Sequence, residues 1–130
     1  MNELYVLDTH ILIWYFIGSK RLPNRAKQIV DDCLAGEGFL LIPTIVLSES
    51  LDIAEKRRVE FDFTTMYRLI QMESAFVVIG YSQEIFEETL AISEIQEIHD
   101  RIIVATARLY SAHMLTKDQI IKTSGEVETI

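Results

Sequence analysis

Four acidic residues occupy positions from which their carboxylates could meet at one place. Asp8 ends the apolar run LYVL, and Asp118 comes shortly after the run HML. Asp100 opens an alanine-rich segment, and Glu49 lies within the stretch IPTIVLSESLDIA. Clustered carboxylates repel one another unless protons or cations lie between them, and oxygen ligands suit hard ions such as Mg²⁺ or Mn²⁺. The four acids together therefore predict a divalent metal site.

Other kinds of site have less support in the sequence. The three histidines and the single cysteine, Cys33, show no zinc-ligand spacing. No Ser-His-Asp or Cys-His arrangement competes convincingly, and no glycine-rich phosphate loop is present.

Glu49 poses a particular problem in a folded chain. In a helix it would share a stripe with Ile45, Val46 and Ile53. Burying an unpaired carboxylate is costly, so such a group protonates, finds a cation or turns to solvent. Glu49 therefore either bends toward water near the helix start or faces a metal ion, directly or through water.

Each acid also has a simpler interpretation when it is taken alone. Asp8, Asp100 and Asp118 could be ordinary helix N-caps, a role that stabilises a helix by about 1 kcal/mol. Their joint placement with Glu49 is what favours a functional site.

The elements that must position these acids can be predicted from apolar patterning. Short apolar runs predict strands, and helical spacing with capping residues predicts the segments between them. The predicted strands are LYVL (4–7), FLLI (39–42), FVVI (76–79), HML (113–115) and a final edge strand at VETI (127–130). The predicted helices cover 10–17, a segment from Pro23 to before Gly36 or Gly38, 44–58, 62–73, 82–92, 99–112 and a short one within 116–121. Thr44 is the predicted cap of the helix 44–58, Asp62 or Thr64 that of 62–73, and Ser82 that of 82–92.

Strands and helices that alternate in this way predict an α/β sandwich with a parallel sheet covered on both faces. In such sheets ligands bind beyond the carboxyl ends of the strands, where the strand order reverses. Asp8 and Asp118 would emerge at that edge, and Glu49 and Asp100 can reach it from positions at or near the beginnings of two helices.

Composition is consistent with a small folded domain. The 130 residues are 49% apolar with two prolines, which predicts one compact domain over residues 1–130. A single cysteine, the lack of a secretory pattern at the start and an apolar run too short to cross a membrane (11–17) predict a soluble cytoplasmic protein. The net charge of −8 argues against broad nucleic-acid binding, unless metal ions neutralise the acids or basic residues gather near them.

The segments YVLDTH, SES, HDRIIVATA and LTKD together resemble the PIN-domain nucleases, most closely the VapC toxins of toxin–antitoxin pairs. The likeness covers nearly the whole chain, in order. It implies a three-layer α/β/α sandwich with a central, mainly parallel sheet of four to five strands. It also implies hydrolysis of RNA phosphodiesters with Mg²⁺ or Mn²⁺, as the toxin of a type II pair.

Matched position by position, the resemblance assigns catalytic roles to Asp8, Glu49, Asp100 and Asp118. A metal held by Asp8 and Asp100 would activate water, and Glu49 and Asp118 would complete the metal cage or orient the water. Glu97 stands where many relatives have an auxiliary aspartate, and here it is either a ligand or a helix-start acid.

Several neighbouring residues have two open interpretations. Thr9 and Thr116 match supporting hydroxyl positions or serve as capping and strand-end residues. Arg101 contacts substrate phosphate or pairs with a local acid, and the triplet 56–58 is a solvated helix end or contacts RNA or an antitoxin. His10 and His99 are expected to make structural hydrogen bonds, and Trp14, Tyr15 and Phe16 to be core residues or part of a partner groove.

The resemblance further implies a homodimer and a VapB-like antitoxin that inserts a segment near the active site. Two alternatives remain open from the sequence. One is a non-catalytic binding module with the same fold. The other is a receiver domain with an acidic Mg²⁺ pocket, although FVVIGY lacks the acid that a receiver needs after its middle strand.

Overall fold

The fold is a parallel sheet flanked by helices, described over residues 3–130 by a computed structural model. Met1 and Asn2, the first two residues of the predicted domain, lie outside the described residues. Within the described chain the sheet has four strands: β1 (Glu3–Leu7), β2 (Gly38–Pro43), β3 (Phe76–Ile79) and β4 (His113–Leu115).

The strand order is β3-β2-β1-β4, and every neighbouring pair is parallel. Because the chain moves outward from β1 first to one side and then to the other, the order reverses between β1 and β4. The predicted three-layer α/β/α sandwich with four to five strands is confirmed, with four strands. The same order excludes a receiver domain, whose first strand lies beside its third.

The predicted final strand at 127–130 is wrong in its extent. Thr129 forms only an isolated parallel bridge with Met114, supported by backbone hydrogen bonds at Glu128 and Ile130. The partner strand β4 is three residues long, so a longer ladder has nothing to pair with.

Seven α-helices connect and cover the strands in the described part of the chain. They are α1 (Thr9–Ile17), α2 (Asn24–Asp32), α3 (Thr44–Glu55), α4 (Phe63–Met72), α5 (Gln83–Thr89), α6 (Ile98–Leu109) and α7 (Gln119–Ser124), and a π-type turn (Cys33–Glu37) follows α2.

Helix ends follow local backbone chemistry, and several predicted ends need correction: besides those of α3, α6 ends at Leu109 instead of 112, and α7 runs to Ser124 instead of 121. Gly18 ends α1 as predicted, with φ of 67° in the left-handed region. Thr44 was predicted as an N-cap, but the extended Pro43 holds that position and Thr44 is the first helical residue. Helix α3 ends at Glu55 instead of Arg58 because Arg57 adopts φ of 53°.

The apolar strands and helix faces form one hydrophobic cluster. Val6, Leu7, Leu40 and Ile42 in the two central strands are fully buried, as expected for a parallel sheet covered on both sides. Ala105 in α6 is also fully buried, and its small side chain lets this helix lie close to the sheet. The core therefore fixes β1, β4 and α6, the elements that carry three of the four acids.

Among the described residues, no helix combines the length and apolar character that crossing a membrane would require.

Candidate active site

The candidate site lies at the carboxyl edge of β1 and β4, where the strand order reverses. Asp8 directly follows β1, and its backbone N–H donates to the carbonyl of Leu115 at the end of β4, with N and O 3.1 Å apart. Asp118 lies three residues beyond β4. The predicted meeting of the two chain segments at one sheet edge is therefore present.

Both carboxylate oxygens of Asp8 are oriented by neighbours. Oδ1 accepts from the backbone N–H of Thr9 at 2.7 Å, and Oδ2 accepts from the hydroxyl of Thr116 at 2.7 Å. Burial raises the pKa of Asp8, although these two hydrogen bonds oppose the shift. Asp8 is thus an N-cap of α1 and, at the same time, a carboxyl group whose two oxygens are both held by hydrogen bonds.

Glu49 points toward the same edge instead of into the core. The hydroxyl of Thr9 donates to its Oε1 at 2.7 Å, and Nδ1 of His99 lies 3.6 Å from its Oε2. Its side chain keeps 30% of its surface exposed, whereas Val46 and Ser50 form the buried face of α3. No lysine or arginine of the described chain lies within ion-pair distance of Glu49.

Asp100 lies in the first turn of α6 but does not cap it. The cap is Glu97, whose Oε2 accepts from the backbone N–H of Asp100 at 2.8 Å. Burial and, after it, the charges of the other acids together raise the pKa of Asp100 to about 7. The acids that contribute are Asp8, Asp118, Glu97 and Glu49, in decreasing order. The expectation that Asp100 could be an N-cap is wrong.

Asp118 caps α7 while facing the other acids. Its Oδ1 accepts from the backbone N–H groups of Ile120 at 2.8 Å and Ile121 at 3.2 Å. Its own N–H donates to the hydroxyl of Thr116 at 2.9 Å, the same hydroxyl that binds Asp8. Thr116 therefore couples the orientations of two acids.

All four acids line one open cavity of about 710 Å³. Histidine and tryptophan side chains contribute to the wall, and three basic residues do as well. Lining residues besides the four predicted acids are a fifth acid, Asp52, and His10, Trp14, Arg21, Ile45, Ser48, Ile53, Arg58, His99 and Lys117. The volume is in the range of small-molecule and substrate sites.

The supporting residues predicted from the sequence divide into two groups. Thr9 and Thr116 make the hydroxyl contacts described above. Glu97 is a helix cap that lies 3.4 Å from His99, and it is not among the residues that line the cavity. Arg101 is also outside the lining, and its Nε donates to the carbonyl of Ile95 at 2.6 Å.

Arg21 and Lys117 are cavity residues that the sequence analysis missed. Arg21 lies in the irregular segment between α1 and α2, where no periodic pattern indicates which way a side chain points. Lys117 stood inside the motif LTKD, next to a predicted acid, and this position was a usable signal.

The donor set fits a hard divalent cation. Five carboxylates share the wall of one cavity, those of the four predicted acids and that of Asp52. Burial first, and then the charges of neighbouring acids, raise the pKa of Asp100, and a bound cation would relieve that repulsion. Among residues 3–130 no three acidic, histidine or cysteine side chains already form a compact ligand cluster. Mg²⁺ commonly keeps several waters and takes only one or two carboxylates, so an open wall of acids suits it.

The sequence model of the PIN domain family matches residues 5–125, and the chain belongs to this family. The resemblance inferred from the four motifs is therefore confirmed. None of the curated proteins compared with the chain matches it significantly.

Solved structures with the same fold include proteins of toxin–antitoxin complexes. A chain of VapBC2 from Rickettsia felis, bound to a DNA fragment from its promoter, gives a TM-score of 0.74 at 16% identity and covers 98% of this chain and 97% of that chain. A toxin–antitoxin complex from Klebsiella pneumoniae gives 0.67 at 27% identity, with 95% and 94% covered. VapC20 of Mycobacterium tuberculosis, a toxin that cleaves the sarcin–ricin loop, gives 0.64 at 16% identity, with 95% and 98% covered.

Proposed function

We propose that this protein is a metal-dependent endoribonuclease and the toxin of a type II toxin–antitoxin pair. The observation that carries the proposal is the convergence of Asp8, Glu49, Asp100 and Asp118 on one cavity of a PIN-domain fold. Fold alone does not define activity, so the weight falls on these side chains.

Asp8 and Asp100 would hold Mg²⁺ or Mn²⁺, and Glu49 and Asp118 would complete the ligand set or orient water. PIN domains generally use divalent metal ions. Such an ion, when bound, polarises a phosphate oxygen and lowers the pKa of a bound water. Hydrolysis then joins the water oxygen to phosphorus and releases one ribose oxygen as a hydroxyl.

The chain's own residues preorganise this chemistry. Thr116 and the N–H of Thr9 fix both oxygens of Asp8, and the hydroxyl of Thr9 fixes Glu49. Glu97 holds the first turn of α6, from which Asp100 projects. These contacts are of the kind that sets ligand orientation in metal sites, and we propose a supporting role for them.

The proposed partners follow from the same relatives. Complexes called VapBC from Rickettsia felis and Salmonella typhimurium share the fold, which supports a VapB-like antitoxin. Phe86, Leu90 and Ile98 are about half exposed or more and supply apolar surface for a protein contact, which supports a homodimer.

We further propose that residues 1–130 form one domain, in keeping with the single core cluster. We also propose that the protein acts in the reducing cytoplasm, in keeping with the free Cys33.

A non-catalytic binding module is the second candidate. It would share the PIN-domain fold and the acidic cavity and would carry out no hydrolysis. Both candidates have the same fold, so only activity separates them.

The test is cleavage of single-stranded RNA by the full chain with Mg²⁺, Mn²⁺ or chelator. We expect wild type to cut in either metal, and Asp8→Asn and Asp100→Asn to lose at least about 100-fold in rate while remaining folded. Equal cleavage by all three proteins would point to a contaminant or another site and overturn the assignment. No cleavage by wild type on any RNA would favour the binding module.

A further inference from the structure

Three basic residues line the acidic cavity of a protein whose net charge is −8. Arg21 comes from the segment between α1 and α2, Arg58 from the end of the α3 region and Lys117 from the turn after β4. We call these residues the cationic rim. They are far apart in the sequence, so the fold brings them to the acids from three directions.

The rim cations are available to an external anion. Within residues 3–130 their side chains form no ion pair and donate no hydrogen bond to a protein acceptor, and all three are exposed. Nearby Lys56 behaves differently, because it pairs with Asp52 at 3.0 Å. The cavity wall thus combines fixed anions with uncommitted cations.

Lys117 is held at a defined place beside the acids. Its Nζ lies 4.9 Å from the ring centroid of Trp14, a cation–π contact. Its chain neighbours are Thr116 and Asp118, which hydrogen-bond within the acid cluster. A ligand that draws Lys117 away would therefore alter the surroundings of Trp14, the only tryptophan of the chain.

This arrangement matches a polyanion that crosses the cavity. A phosphate at the acids is repelled unless a metal ion compensates for the carboxylates, whereas phosphates one or more nucleotides away can pair directly with the rim. Arginine is suited to phosphate because its planar fork donates two parallel hydrogen bonds. A flexible single strand can bring successive phosphates to separate cations, whereas a small anion contacts fewer of them at once.

We propose that Arg21, Arg58 and Lys117 bind the phosphates of single-stranded RNA that neighbour the phosphate at the acids. The inference rests on the proposed function and adds to it the path of the substrate strand. It gives an acidic protein a local electrostatic means of binding nucleic acid.

Binding without cleavage tests the proposal. Anisotropy of a labelled oligouridine of about ten nucleotides is measured with the full chain in chelator, at several salt concentrations. No metal ion then compensates for the acids, so a wild-type chain that binds no oligouridine even at low salt would contradict the proposal. We expect Arg21→Gln, Arg58→Gln and Lys117→Gln each to weaken binding about 3- to 10-fold at low salt. Each should also reduce the slope of log affinity against log salt by about 0.7, as for one lost phosphate contact of a single strand.

Arg68→Gln is the matched control, since it removes the same charge from an exposed position on α4 that does not line the cavity. It should bind oligouridine within about twofold of wild type. Oligouridine should change the emission of Trp14 in wild type and Arg68→Gln, and this change should be smaller in Lys117→Gln. Circular dichroism and Mn²⁺ binding should remain intact in all the rim variants.

The outcomes separate this inference from the proposed function. Unchanged oligouridine affinity and salt slope in the rim variants would overturn the proposal that the cationic rim binds RNA. The proposed nuclease activity would then still be tested separately, by the cleavage assay. Rim-dependent binding by a chain that cleaves no RNA would support the rim and count against the nuclease. Polyglutamate that displaces oligouridine as efficiently at equal charge would overturn the phosphate assignment in favour of an acidic protein segment.

Discussion

The pKa of the Asp100 carboxyl group reflects its burial and the charges of the acids around it. Burial and the charges of Asp8, Asp118, Glu97 and Glu49 raise its pKa to about 7, compared with about 4 in an unfolded chain. The folded protein therefore holds a proton at Asp100 that the unfolded chain has already released between these two pH values. Consequently, Asp100 makes the metal-free protein less stable as pH rises from about 4 to 7.

Asp100→Asn should remove this pH-dependent loss. In chelator we expect the variant to match wild type near pH 4 and to be more stable at about pH 8, by an amount on the order of 1 kcal/mol after allowance for solvent screening. Thermal unfolding across this pH range measures the effect. Asp32→Asn on α2, outside the cavity, is the control, and an unchanged pH dependence in Asp100→Asn would contradict the electrostatic account.

Thr116 gives a second prediction, because one hydroxyl serves two acids. It donates to Asp8 and accepts from the N–H of Asp118, and the residue is 2% exposed. Thr116→Val keeps the volume and removes both contacts, so Mn²⁺ affinity should fall about tenfold or more and stability by about 1–3 kcal/mol. Calorimetric titration and denaturant unfolding measure these changes.

Thr116→Ser should restore most of the metal affinity, since it keeps the hydroxyl. Thr123→Val on the exposed side of α7 should leave affinity unchanged. A normal affinity in Thr116→Val would show that Asp8 does not depend on this hydroxyl for its orientation.

The positions of the four acids at one sheet edge could be predicted from the sequence, because strand ends and helix starts are local signals. Asp8 and Asp118 follow apolar runs, and the topology of a parallel sheet brings such positions to one edge. Arg21 could not be found in this way, since the direction of its side chain depends on how an irregular segment packs. Arg101 shows the same limit: its position beside an acid left a phosphate contact and a pair with a local acid both open, and only the packing shows that its Nε donates to the carbonyl of Ile95.

Glu97, at the start of α6, could be a metal ligand or a helix N-cap, and substitutions can distinguish the two roles. The side chain accepts from the N–H of Asp100, as an N-cap does. Glu97→Ser retains a good cap and removes the charge, whereas Glu97→Ala removes both. We expect Glu97→Ser to keep wild-type stability and metal affinity, and Glu97→Ala to lose about 1 kcal/mol of stability.

Chemical denaturation and Mn²⁺ titration of the two variants check this prediction. If Glu97→Ser lost as much metal affinity as Asp8→Asn, Glu97 would be a ligand and the capping account would be incomplete.

Element boundaries were less predictable than element types. Helix α5 was predicted to run over 82–92, but it ends at Thr89. Phe86 and Leu90 have the spacing of an apolar helix face, yet both are exposed. The buried positions are Ile85 and Thr89, and Ile92 is buried beyond the helix end. Spacing alone could not show this, because burial depends on where α6 packs against α5.

The distribution of charge over the molecule matters more than its total. A net charge of −8 counts against nucleic-acid binding only if charges are spread evenly, and the structure instead brings three cations to the wall that carries the acids. The two effects that could reverse the composition argument, metal ions and gathered basic residues, both point to this cavity.

Direct titration of the full chain with Mn²⁺ at about pH 8, followed by electron paramagnetic resonance of the free ion, tests the central claim most directly. The account predicts saturable binding by wild type and a loss of about tenfold or more in affinity in Asp8→Asn and in Asp100→Asn, both folded. Binding that is equally tight in all three proteins, or no saturable binding by wild type, would contradict it.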